Sequence, residues 1–218
     1  MLAYKFLDAQ GVTVISGTTW PLPSGDGPGP WVEAAFVRPC HEGIHACRVE
    51  ELAYWLSDEL WEIELDGEIR SAQRKVVARR GRLVRRLDAW SGGVAAELST
   101  WCAWRTRDAA VDLLNDVGEA SWAEQFARAE SLRDVARVAR AAVPALGDGA
   151  VSGVAAGFAG DVAALAPTSH IAMGPFVAAC AAAHAAVRDS DDAAGHAVAF
   201  AEERRAQSDW IAGRLLVA

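Results

Sequence analysis

Between residues 40 and 47 the chain reads Cys40-His41-Glu42-Gly43-Ile44-His45-Ala46-Cys47, two thiols and two imidazoles within eight positions. Thiolate and neutral imidazole are the preferred ligands of a borderline-soft ion such as zinc, which makes Cys40, His41, His45 and Cys47 the candidate metal ligands. Their spacing departs from paired C-x2-C patterns. Residues 40 and 41 are adjacent, and a strand through 44–49 sets only His45 and Cys47 on one face. The competing expectation is buried cysteines beside hydrogen-bonded histidines. A second candidate is Glu62 with Glu64, which point the same way from one strand, since paired carboxylates serve general acid–base work. Against it stand Arg74, Lys75, Arg79, Arg80, Arg82, Arg85 and Arg86, which crowd the next strands and are expected to pair with these acids across the sheet. Cys180 and His184, four apart in an Ala-rich stretch, share a helix face and read as packing residues. No glycine-rich phosphate loop, nucleophile elbow or H-E-x-x-H helix is present.

The elements that must position these groups follow from the apolar period. Up to about residue 90 the pattern is short and alternating. Tyr4 to Leu7, Val12 to Ile15, Trp31 to Val37, Ile44 to Val49, Leu60 to Leu65 and Lys75 to Val84 read as strands, and Glu50 to Glu59 as a helix. In Trp61-Glu62-Ile63-Glu64-Leu65 the apolar residues share one face and the glutamates the other, and Asp66-Gly67 then marks a turn. The run from Pro21 to Pro30 is short of amide donors and rich in glycine, hence a loop. Trp20 and Trp31 flank it and are candidate substrate-binding residues lining a pocket. From about residue 93 the chain becomes Ala-rich helix, with 34 alanines in residues 108–218, and four to five helices are expected. Ser121 and Glu124 have capping-box spacing, Pro144 and Gly147 end that helix, Gly153, Gly157 and Gly160 allow close helix approach, and Ser190 or Asp191 caps the last helix.

At 218 residues and 52% apolar the chain has enough material for a real core, so disorder is excluded as its main state. Residues 1–107 carry 13 basic and 14 acidic side chains, and residues 108–218 carry 8 and 15. An acidic helical half argues against nucleic acid as a general partner. Four cysteines are too sparse for a disulfide scaffold, and the opening residues lack a signal-peptide pattern, so a reduced, cytoplasmic setting is expected. The apolar runs 149–165 and 171–187 are interrupted by Asp161, Pro175 and His184 and read as buried helices rather than membrane spans.

With these residues in view, the chain resembles a family of uncharacterised bacterial proteins through Ala3-Tyr4-Lys5-Phe6-Leu7, Gly43-Ile44-His45-Ala46-Cys47 and Glu59-Leu60-Trp61-Glu62-Ile63-Glu64-Leu65-Asp66-Gly67, and more loosely through Glu203, Gln207 and Trp210. Gly43-Ile44-His45 is also similar to a strand of small ADP-ribosyltransferase-like domains. That likeness implies His45 at an NAD ribose, with Tyr54 as a substrate-binding residue and Glu62 or Glu64 in the remaining roles. The expectation is therefore an α+β protein with a β-rich domain over 1–92 packed on a helical bundle over 93–218. Its expected function is small-ligand binding or protein interaction, with a pocket near 40–47 and a small molecule, another protein or a second copy as partner. The alternative is an enzyme with an NAD-binding or metal-dependent site centred on His45. The residues themselves name no cofactor.

Overall fold

A computed structural model describes residues 1–25, 27–168, 170–186 and 192–215. The cap expected at Ser190 or Asp191 lies outside them. The chain is α+β and divides into two compact units, Met1–Val94 with Ser208–Ala218 and Ala95–Gln207. The first boundary falls two residues from the expected one. The last segment joins the first unit, where the Ser208 hydroxyl accepts the Ala53 amide proton at 3.1 Å.

The first unit holds an antiparallel sheet of β1 (Leu2–Leu7), β2 (Val32–Glu33), β3 (Ile44–Ala46), β4 (Glu59–Ala72) and β5 (Lys75–Arg86), with a 3₁₀ helix at Val49–Tyr54. β4 pairs with β1 on one side and β5 on the other, and β5 pairs with both β2 and β3. Just past β3, Cys47 and Tyr4 exchange two backbone hydrogen bonds of 2.8 Å. The pairing thereby closes into a ring, β1–β4–β5–β3 and back to β1. A ring protects edges that an open sheet of short strands would expose.

The alternation in β4 does what its period dictates: Trp61, Ile63 and Leu65 enter a core with Ala3, Leu7, Trp20, Ile44, Ala46, Val76, Ala78 and Leu83. Other parts depart from expectation. Val12 to Ile15 is no strand; the Thr13, Ser16 and Thr18 hydroxyls bond to one another at 2.6 and 3.0 Å and hold a turn that leaves Val14 and Ile15 exposed. Trp31 to Val37 contributes only Val32–Glu33. The helix expected over Glu50 to Glu59 is the shorter 3₁₀ turn, started by Glu51 accepting the Arg48 amide proton at 2.7 Å. Asp66-Gly67 is a bulge within β4, with Gly67 at φ 78°, and the hairpin turns instead at Gln73-Arg74, where Arg74 takes φ 62°.

The second unit is built on α1 (Gly92–Asp116, from Ala95), α2 (Ala120–Ala127), α3 (Leu132–Leu146), α4 (Val151–Leu165), α5 (Met173–Ala186) and α6 (Ala193–Leu215, to Gln207). The described residues thus hold six α-helices, one more than the upper expectation, because the stretch opening near Ser121 splits. Ser121 lies inside α2 and its capping box does not form; the chain restarts at Ser131, whose hydroxyl accepts the Asp134 amide proton at 3.2 Å. Pro144 lies within α3, and Gly147 at φ 87° ends it.

Small residues make this core: Ala110, Ala123, Ala139, Ala142, Ala155, Ala156, Ala159 and Ala163 surround Leu113, Leu114, Val135 and the fully buried Phe126. Close approach is concentrated at Gly153 and Gly160, where an added Cβ would lie 1.9 Å from the Gly147 carbonyl oxygen and 2.6 Å from the Ala139 Cβ. Gly157 is not a contact glycine; the nearest atom to its added Cβ is Val143 Cγ2 at 3.8 Å.

Candidate functional site

All the predicted site residues lie in the first unit, and the structure sorts them into three places. Glu62 and Glu64 face arginines. Register sets Glu62 opposite Arg85 and Glu64 opposite Arg82, and the side chains meet at 2.7 Å in both pairs. His45 sits opposite Val77, five positions along β5 from Arg82. That separation is about 16 Å at roughly 3.3 Å per strand residue. The carboxylates and the histidine therefore do not converge, and the cross-strand ion pairs are the ones the sequence pattern implies.

Trp20 belongs to the core. It is buried and stacked beneath Lys5, whose ammonium lies 4.6 Å from its ring centroid, so it lines no open pocket. Trp31 is half-buried, with Arg80 and Arg82 over its ring at 4.8 and 4.6 Å. A shallow depression of about 350 Å³ lies in the other unit, between Gln125 and Val138, among side chains including Arg128, Asp134 and Arg137.

The third place is the end of the β4–β5 hairpin, where the structure does gather predicted residues. The turn 38–42 is pinned by reciprocal backbone bonds between Arg38 and Glu42, at 2.7 and 2.9 Å, and lifts Cys40 into the left-handed region at φ 67°. Cys40 is exposed, and Lys75 Nζ donates to its sulfur at 3.1 Å. The Lys75 ammonium also lies 5.7 Å from the Trp55 ring centroid, and Trp55 Nε1 donates to the Arg74 carbonyl at 2.7 Å. The Arg74 guanidinium stacks 4.5 Å over Tyr54. His45 feels the same lysine: burial first, then the positive charges of Lys75 and Lys5, hold its ring below the usual histidine value. Its Nε2 is buried without a hydrogen-bond partner. His41 is exposed on the turn, and Cys47 is buried with its sulfur donating to the Tyr4 carbonyl at 3.4 Å. Burial pushes the Cys47 thiol well up. The four expected ligands are thus dispersed, and no group of three or more His, Cys, Asp or Glu residues suited to a metal occurs among the described residues.

Two polar features escaped the sequence reading. Lys5 sits opposite Trp61 on the core face of β1, buried, with Nζ donating to the His45 carbonyl at 2.8 Å. Burial lowers its pKa to about 8. The signal was available in Ala3-Lys5-Leu7, a cation at an inward position of an alternating strand. In the second unit Arg105 pairs with buried Glu203 at 2.7 Å, and Gln207 donates to Glu203 at 3.3 Å and to the Pro175 carbonyl at 2.9 Å. This set, from the Glu203, Gln207 and Trp210 pattern, satisfies buried polar atoms within the helices. Among the described residues no helix is long and apolar enough to cross a membrane. Compared with protein-family models, with curated proteins and with solved structures, the chain matches none.

Proposed function

We propose that this chain acts by binding, through the hairpin end of its first unit, and that the partner is a small molecule or protein segment bearing negative charge beside a flat apolar group. The observation that carries this reading is the pairing of each cation with a ring: Arg74 over Tyr54 and Lys75 over Trp55. Stacking holds each cation in place over its ring, so less ordering entropy is lost when an anion arrives. Tyr, Trp and Arg are also the residues in which binding energy concentrates at interfaces. Cys40, against Lys75, adds a soft atom at the same corner.

The test is a fluorescence and thermal-shift titration with three probes: NAD, inorganic phosphate and an acidic peptide. Saturable quenching is expected with a probe combining charge and a flat apolar group, weakened by salt and reduced severalfold in Arg74→Glu. Titrations that are the same in wild type and Arg74→Glu with every probe would remove the reading.

A further inference from the structure

Cys40 differs from the other cysteines in access and in company. Cys47 and Cys102 are buried and Cys180 is half-buried, whereas Cys40 stands exposed on a turn held at both ends. Its sulfur lies 3.1 Å from the amine of Lys75, and that amine is itself held over Trp55. A nucleophilic sulfur and a nucleophilic nitrogen in contact do not react with each other. An oxidant that makes the sulfur electrophilic changes this.

We propose that Cys40 and Lys75 are a modification site, joined by a sulfur–nitrogen bond when a hydroperoxide oxidises the thiol. In the first step the Cys40 sulfur attacks the terminal oxygen of hydrogen peroxide. The S–O bond forms, the O–O bond breaks, and the departing hydroxide takes the thiol proton and leaves as water. The sulfur is now a sulfenic acid, oxidised by two electrons. In the second step Lys75 gives one ammonium proton to water and its amine attacks that sulfur, the S–N bond forms, and the S–O bond breaks with hydroxide leaving as water on a second proton from nitrogen. The balance is one thiol, one ammonium and one peroxide in, one sulfenamide, two waters and one proton out. A thiol reductant reverses it by attacking sulfur and expelling the amine, and a second thiol equivalent frees Cys40 from the resulting mixed disulfide. The contact distance favours capture by Lys75 over further oxidation, because the amine is in place when the sulfenic acid forms. This site needs neither an anion nor a partner, so it stands apart from the binding reading.

The experiment treats the full chain with hydrogen peroxide, removes excess with catalase and reads intact mass and peptide maps. The expected result is a loss of about two mass units, a cross-linked peptide pair containing Cys40 and Lys75, and recovery of both with dithiothreitol. Lys75→Arg keeps a cation over Trp55 but stops at the sulfenic acid, captured by dimedone at several times the wild-type level. Cys40→Ser shows neither product. A mass loss that persists in Lys75→Arg, or a wild type that is captured by dimedone as fully as Lys75→Arg, would overturn the proposal.

Discussion

The two units reach a closed interior by opposite means. The sheet unit fills a small ring with large side chains, among them Trp20, Trp61, Ile63, Leu65 and Leu83, and tolerates a buried cation, Lys5, inside it. The helical unit has few large side chains and closes by bringing backbones together over alanine and glycine, with Phe126 the one fully buried aromatic of its central cluster. Area per side chain stabilises the first, close approach the second. Each should therefore fail under a different kind of substitution.

The largest expected effect is loss of that aromatic. Phe126→Ala should cost about 4 kcal/mol in the helical unit, since the surrounding alanines have no reach with which to refill the space. Urea denaturation followed by helical circular dichroism reads this directly. A cost near 1 kcal/mol would mean that the helices collapse onto the cavity and that the core is softer than its contacts imply.

Next comes Lys5, where pH supplies the probe. Its pKa falls from 10.5 to about 8 on folding, so the unfolded chain binds more protons between those values and stability rises with pH across about 8 to 10.5. The full rise is about 3 kcal/mol, complete above the unfolded value and lost as pH falls through the folded one. The Cys47 and Cys102 thiols, raised by burial, act in the opposite sense above about pH 9. The informative quantity is therefore the difference between wild type and Lys5→Met, in which the thiol contributions cancel. At pH 7 the variant should equal or exceed wild type, since an apolar chain of similar length replaces a desolvated charge at the expense of one hydrogen bond. The difference should move by about 3 kcal/mol in favour of wild type as pH rises from about 8 to 10.5. A difference that does not vary with pH would show that Lys5 is solvated in the folded protein.

How much of this was legible in the sequence depends on the range of the force involved. The period-two pattern from Trp61 to Leu65 gave the faces of β4 correctly, because burial acts on each side chain through its own strand. It also placed Glu62 and Glu64 against the arginines of the next strand. Asp66-Gly67 misled because a local turn signal and a bulge both need positive φ, and only the register with β5, a non-local property, separates them. Trp20 read as a pocket residue because it flanks a loop, yet ring closure folds that loop end into the core. Of the candidate site, His45 and Cys40 were visible by composition and Tyr54 only through a resemblance. Lys75 and Trp55 join them through hairpin and turn geometry that no spacing rule encodes.

The glycines of α4 give a sharper contrast at smaller magnitude. Gly153→Ala should cost about 2 kcal/mol, since its methyl meets the Gly147 carbonyl and the end of α3 must move. Gly157→Ala meets nothing nearer than 3.8 Å and should be neutral or gain up to about 1 kcal/mol from helix propensity. Equal effects at the two positions, measured as melting shifts, would remove close approach as the organising feature of this unit.

The smallest effect is expected where the contact looks most specific. Glu64 and Arg82 meet at 2.7 Å, but their side chains keep 38% and 30% of their exposure, so solvent screens the attraction. Arg82 also rests 4.6 Å over the Trp31 ring and retains that partner when Glu64 is neutralised. A double-mutant cycle of Glu64→Gln and Arg82→Gln should give a coupling below about 1 kcal/mol that shrinks in high salt. A coupling several times larger, insensitive to salt, would place the pair in a drier setting than its exposure indicates. It would also make the charged face of β4, and not only its apolar face, a structural determinant of the ring.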